Sequence, residues 1–193
     1  MKDLKELVKF LLGFMPWILF LFLSGHTLAG LERSVVICIL ASLICNFREL
    51  RKGFLLSWGT LLFFGGCAVT VNLMKMTAVA ENMGTLANGF LAALVWITIL
   101  SGKPFTLQYA RADLPKDLWN DPGLVRGCRF IAIVWAFLMT FSAAVSGFRT
   151  FYPGVFPDQV YMDISLCVIL GGSVFTSWYK KSMRKKEAPA VSG

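Results

Sequence analysis

Six long apolar runs, separated by short polar stretches, set the pattern of this chain. They fall near Phe10–Leu28, Ser34–Phe47, Gly53–Leu73, Thr85–Ser101, Arg129–Gly147 and Val160–Tyr179. About 20 apolar residues carry a helix across the hydrocarbon core of a bilayer, so each run predicts one spanning helix. The second run is short and is expected to extend back towards Ala29 or to tilt little. The expected fold is all-α: a polytopic membrane protein whose single domain, residues 1–179, is a bundle of about six transmembrane helices. Residues 180–193 are basic and read as a disordered cytoplasmic tail.

Composition agrees with the pattern. Of 193 residues, 56% are hydrophobic and 16% charged, whereas soluble domains carry about 25% charged residues. Charge then orients the bundle. Of the 19 Lys and Arg, only Arg33, Lys75 and Arg149 fall on one side of the six-span arrangement. The remaining sixteen lie on the side of both termini. Basic loops stay inside, which predicts a multi-pass membrane protein with both termini cytoplasmic. A competing reading takes Lys2, Lys5, Lys9, the run Phe10–Leu23 and the small residues near Ala29 as a cleavable signal peptide.

The stretch "TLQYARADLPKDLWNDPGLVRG", residues 106–127, is the most polar one between the two ends. Pro104 is expected to end the fourth span, and Pro115 to open a short helix with Asp113 as a distant cap. Asp121 and Pro122 form a cap-and-first-turn pair that starts the fifth span early. Phe105, Leu107, Tyr109, Leu114, Leu118 and Trp119 alternate with Lys103, Arg111, Lys116, Arg126 and Arg129. Such a segment is expected to lie on the inner membrane surface. Trp119 would anchor it at headgroup depth while the five cations meet anionic lipid, at about 1 kcal/mol each. The alternative is a pocket in which Arg111, Arg126 and Arg129 hold an anionic substrate or a partner.

The stretch "SGKPFTLQYARADLPKDLWNDPGLVRGCRFIAIVWAFLMTF" resembles the corresponding part of the bacterial septation protein A family. Gly102, Lys103, Pro104, Leu114, Pro115, Trp119, Arg129 and Trp135 carry the resemblance. It implies a polytopic inner-membrane protein of cell-envelope maintenance or division, and no catalytic residues.

Ionisable residues in or near a membrane call for a functional hypothesis. In the half away from the termini these include His26, Glu81 and Asp163. Together they form a possible transport site, although Asp163 is equally placed to pair with Arg149 or Lys75. No two of the five cysteines share a C-x-x-C spacing, and one histidine builds no His-rich site. Neither a metal nor a cofactor is therefore expected. Cys128, next to Arg129, is the one cysteine whose setting favours reactivity. Gly89/Ala93 and Ala143/Gly147 have a spacing that permits close helix approach in lipid. Arg48-x-x-Arg51 before Trp58 echoes Arg126-x-x-Arg129 before Trp135, as in a parallel repeat.

Three functions follow. The leading expectation is a non-enzymatic envelope protein whose basic loop contacts anionic lipid headgroups or other inner-membrane envelope and division proteins, with no role for nucleic acid. The second is a small transporter with its site in the outer half. The third is an enzyme acting on a phosphorylated lipid headgroup, for which Asp113, Asp117 and Asp121 would have to align on one helix, across Pro115.

Overall fold

A computed structural model describes residues 12–23, 27–152 and 154–187. It is 86% helical, with no strand among the described residues. The helices are α1 (Met15–Leu23), α2 (Leu28–Cys45), α3 (Phe47–Arg51), α4 (Leu55–Cys67), α5 (Thr77–Glu81), α6 (Met83–Leu100), α7 (Phe105–Asp113), α8 (Pro122–Phe151) and α9 (Asp158–Glu187). A π-helical segment, Ala68–Leu73, continues α4. Five helices are long and apolar enough to cross a membrane: α2, α4 with its π segment, α6, α8 and α9. Of the first expected span, α1 and the residues just before it are described. Of the six expected spans, five are thus present as such helices among the described residues.

Helix starts follow local chemistry. Thr27 caps α2 by accepting from the Gly30 amide, so the second span begins six residues before Ser34, at Leu28. Asp121 accepts from the Leu124 amide with Pro122 in the first turn, and α8 then runs unbroken for 30 residues. At 1.5 Å per residue that is about 45 Å, longer than the hydrocarbon core is thick. Outer faces carry exposed Ile44, Leu62, Phe137 and Val174, as a bundle in lipid requires.

The core is aromatic. Trp135 is fully buried, stacks on Phe14 at 5.1 Å and donates its indole N–H to Thr176 at 2.9 Å. Trp17 stacks on Phe63 at 5.2 Å and donates to Thr60 at 2.9 Å. Each indole therefore satisfies its donor where no water reaches. Phe14, Trp17 and Phe20 are all buried, so losing this segment as a cleaved leader would unroof the core.

Two sequence signals are corrected here. Trp58 is 53% exposed and donates to the Leu50 carbonyl, while Trp135 is 0% exposed. The apparent repeat therefore joins two unlike environments. Gly89 and Gly147 have open space where a side chain would begin. The glycines that sit tightly against a neighbour are instead Gly172, where a Cβ would sit 2.8 Å from the Trp135 ring, and Gly59 beside Leu94.

Candidate functional site

A cleft of about 720 Å³ opens at the end of the bundle where α2 and α9 begin and α8 ends. Its floor is apolar, formed by Trp17, Phe20, Leu91, Met139 and Ile169. One wall is polar and spans three helices. Asn88 of α6 donates to Ser146 of α8 at 2.9 Å and accepts from Ser142 of α8 at 2.8 Å. The Ser142 hydroxyl also lies 3.1 Å from that of Ser165 on α9. Ser142 has one hydrogen and gives it to Asn88, so Ser165 must be the donor to Ser142. At 1.5 Å per residue these groups lie about 8 to 14 Å inside the helix ends.

Three groups on this cleft retain donors. Ser146 accepts from Asn88, but its own hydrogen has no acceptor among the described residues. Tyr161 is 6% exposed, and its buried hydroxyl has no partner among the described residues. Arg149, one turn beyond Ser146, uses only Nε, which meets Asp158 at 2.8 Å. Its terminal nitrogens make no hydrogen bond among the described residues, and one lies against Gly84 at the start of α6. Glu81 lines the same mouth and forms no ion pair among the described residues.

The expected transport residues separate in space. Glu81 lines the cleft. Asp163 does not: it is exposed and accepts from Gln159 at 3.1 Å. Its expected partners are taken, because Arg149 pairs with Asp158 and Lys75 with Glu32 at 2.7 Å. His26 lies outside the described residues. Sequence reasoning passed over Asn88, Ser142, Ser146 and Ser165. Only their shared placement on the buried faces of neighbouring spans marks them.

The opposite end carries the basic loop. α7 is not a surface helix: Phe105, Thr106 and Leu107 are buried, and Thr106 donates to the Cys128 carbonyl at 2.6 Å. Tyr109 packs edge-on against Phe54 at 4.9 Å and donates to Glu49 at 3.3 Å. Burial pushes its phenol well above the ordinary range, and the Glu49 charge adds to this. The surface aromatics expected here thus belong partly to the core. The buried face appears because Gly102, at φ +70, turns the chain back on the bundle.

Pro115 precedes a single 3-10 turn, Lys116–Leu118, and Asp113, Asp117 and Asp121 fall on different elements. Arg111 is occupied within the loop. It donates to the Trp119 carbonyl at 3.0 Å and to Asn120 at 3.3 Å, with its guanidinium 5.9 Å from the Trp119 ring. Trp119, half-buried, donates to the Leu114 carbonyl at 3.1 Å. Lys103, Lys116, Arg126 and Arg129 are exposed. Cys128 is buried rather than presented for reaction. No group of three or more His, Cys, Asp and Glu among the described residues is placed to hold a metal. No family model, curated protein or solved structure matches this chain.

Proposed function

We propose that this is a small transporter of the bacterial inner membrane, with both termini cytoplasmic and its cleft open to the outside. The observation that carries the reading is the Asn88–Ser142–Ser165 chain on the wall of an open cleft, about 8 to 14 Å inside the ends of apolar helices. Lipid-facing backbone and side chains cannot leave polar groups unsatisfied, at a cost of several kcal/mol each. A polar wall with unspent hydroxyls at that depth fits a surface that meets water or solute. The volume also falls in the usual range of small-molecule sites, about 300–1,000 Å³. Orientation follows the positive-inside rule, since Arg33, Lys75 and Arg149 are the basic residues near the cleft end.

The test uses the full chain in nanodiscs and a thermal-shift panel of small polar solutes. At least one solute class should raise the melting temperature of the wild type but not that of Ser165→Trp, which fills the cleft. Ser165→Trp without solute must melt as the wild type does for the comparison to be read; otherwise Ser165→Leu replaces it. No shift with any solute, or shifts that survive the filling variant, would contradict the reading.

A second reading is favoured by the exposure of Lys103, Lys116, Arg126 and Arg129 on one end. It is the envelope role implied by the septation protein A resemblance, with this surface meeting anionic headgroups or division and wall-synthesis proteins. The two readings concern opposite ends of the bundle and are compatible.

A further inference from the structure

We infer that the cleft selects a small zwitterion of the α-amino-acid type with an apolar side chain. This rests on the cleft being a solute site. The unspent groups at its mouth are of two kinds, and their separation carries the inference. On α8, Ser146 and Arg149 are three residues apart and so share a helix face. Both keep donors: the Ser146 hydroxyl hydrogen, and the terminal N–H groups of a guanidinium already held by Asp158 through Nε. A guanidinium held in this way presents its outer edge as a fork, which is the geometry a carboxylate takes.

Glu81, at the end of α5, is an acceptor of opposite charge with no ion pair among the described residues. The guanidinium end lies against Gly84, three residues from Glu81. Cation and carboxylate both line the cleft, yet Arg149 is paired to Asp158 and not to Glu81. A ligand with both an anionic and a cationic group satisfies both sides. A simple amine would leave the Arg149 and Ser146 donors unused, and a simple acid would meet Glu81 unshielded.

The floor completes the class. Phe20, Leu91, Met139 and Ile169 offer apolar surface below the charged mouth. A side chain of leucine size gains from burial there, whereas a charged side chain would be stripped of water without a partner. Tyr161, whose hydroxyl has no partner among the described residues, supplies one more donor on the α9 wall.

The experiment is calorimetric binding to the full chain in nanodiscs. The probes are leucine, methionine and phenylalanine, each with its decarboxylated amine and its deaminated acid. At least one amino acid should bind, with its amine and acid weaker by about tenfold or more, since each loses a charge-assisted contact. Arg149→Gln should erase the preference over the amine, and Glu81→Gln the preference over the acid. Arg149→Lys, which keeps the charge, should still weaken the amino acid because the fork is lost. Unliganded melting of each variant separates lost binding from lost folding, and Ser146→Ala provides a milder change on the same face.

An amine or acid that binds as tightly as its amino acid would overturn the inference and leave the cleft reading standing. The inference falls in the same way if none of the nine probes binds while another solute gives a cleft-dependent thermal shift. If no solute of either panel acts, the cleft reading falls and the inference with it.

Discussion

Arg149, in the last turn of α8, forms an ion pair through Nε with Asp158 in the first turn of α9 at 2.8 Å. Each charge also sits at the helix end whose dipole favours it. The pair ties the two long helices together at the cleft mouth. Both side chains are more than 40% exposed, so the pair adds no more than about 1 kcal/mol to stability. Asp158→Asn should therefore leave melting almost unchanged while weakening solute binding, because the guanidinium loses its orientation. Melting and binding measured on the same preparation check this.

Gly172→Ala should be the most damaging glycine substitution in the bundle. Its Cβ would meet a buried indole, held by Thr176 and stacked on Phe14, at 2.8 Å. Overpacking against a side chain that cannot rotate away costs about 1–3 kcal/mol. Gly59→Ala should cost less, because its neighbour is the end of the half-buried Leu94. Gly89→Ala and Gly147→Ala, with open space beyond them, should not destabilise at all. Unfolding of the four variants in one detergent ranks them.

These glycines show how far the sequence could be read. Hydropathy located the spans because lipid demands long uninterrupted apolar helices, and Asp121-Pro122 located a helix start because capping is local. Gly89 and Gly172 look alike in sequence. Which of them faces a neighbour depends on helix rotation, which hydropathy leaves open. The cleft was hidden for the same reason. Asn88, Ser142 and Ser165 are ordinary isolated polar residues until three helices bring them together. α7 was misplaced because its apolar residues have two possible sinks, headgroups or bundle, and the turn at Gly102 decides between them.

Phe105→Ala should destabilise strongly, by about 3–5 kcal/mol, as for other buried aromatics. Tyr109→Phe should cost about 1 kcal/mol, since Glu49 loses one donor and keeps Ser57 at 3.1 Å. The raised Tyr109 phenol also sets a pH dependence. Its stabilisation is complete below the ordinary tyrosine pKa of about 10 and is lost as pH rises through the higher folded value. The alkaline limit of stability should therefore be less steep in Tyr109→Phe than in the wild type, as measured by melting across an alkaline pH series.

The basic end gives a graded expectation. Gln in place of Lys103, Lys116, Arg126 or Arg129 should each weaken the binding of anionic vesicles slightly and by similar amounts, at about 1 kcal/mol per cation. Arg111→Gln should act differently. It releases the Trp119 and Asn120 contacts and loosens the loop itself, so proteolysis of the 114–121 segment should accelerate. Vesicle co-flotation and limited proteolysis separate the two effects.

The water-filled cleft is the central claim, and thiol accessibility tests it most directly. Asn88 lines the cleft, whereas Leu86, on the same helix, is 44% exposed on the outer surface and does not. Leu86 is also nearer the helix end by about 3 Å at 1.5 Å per residue. Thiol reagents attack the thiolate, which requires water. In intact cells a membrane-impermeant thiol reagent should modify Asn88→Cys faster than Leu86→Cys, above the wild-type background, despite the greater depth of residue 88. Reactivity that follows depth instead, or an Asn88→Cys thiol that stays unmodified, would contradict the account.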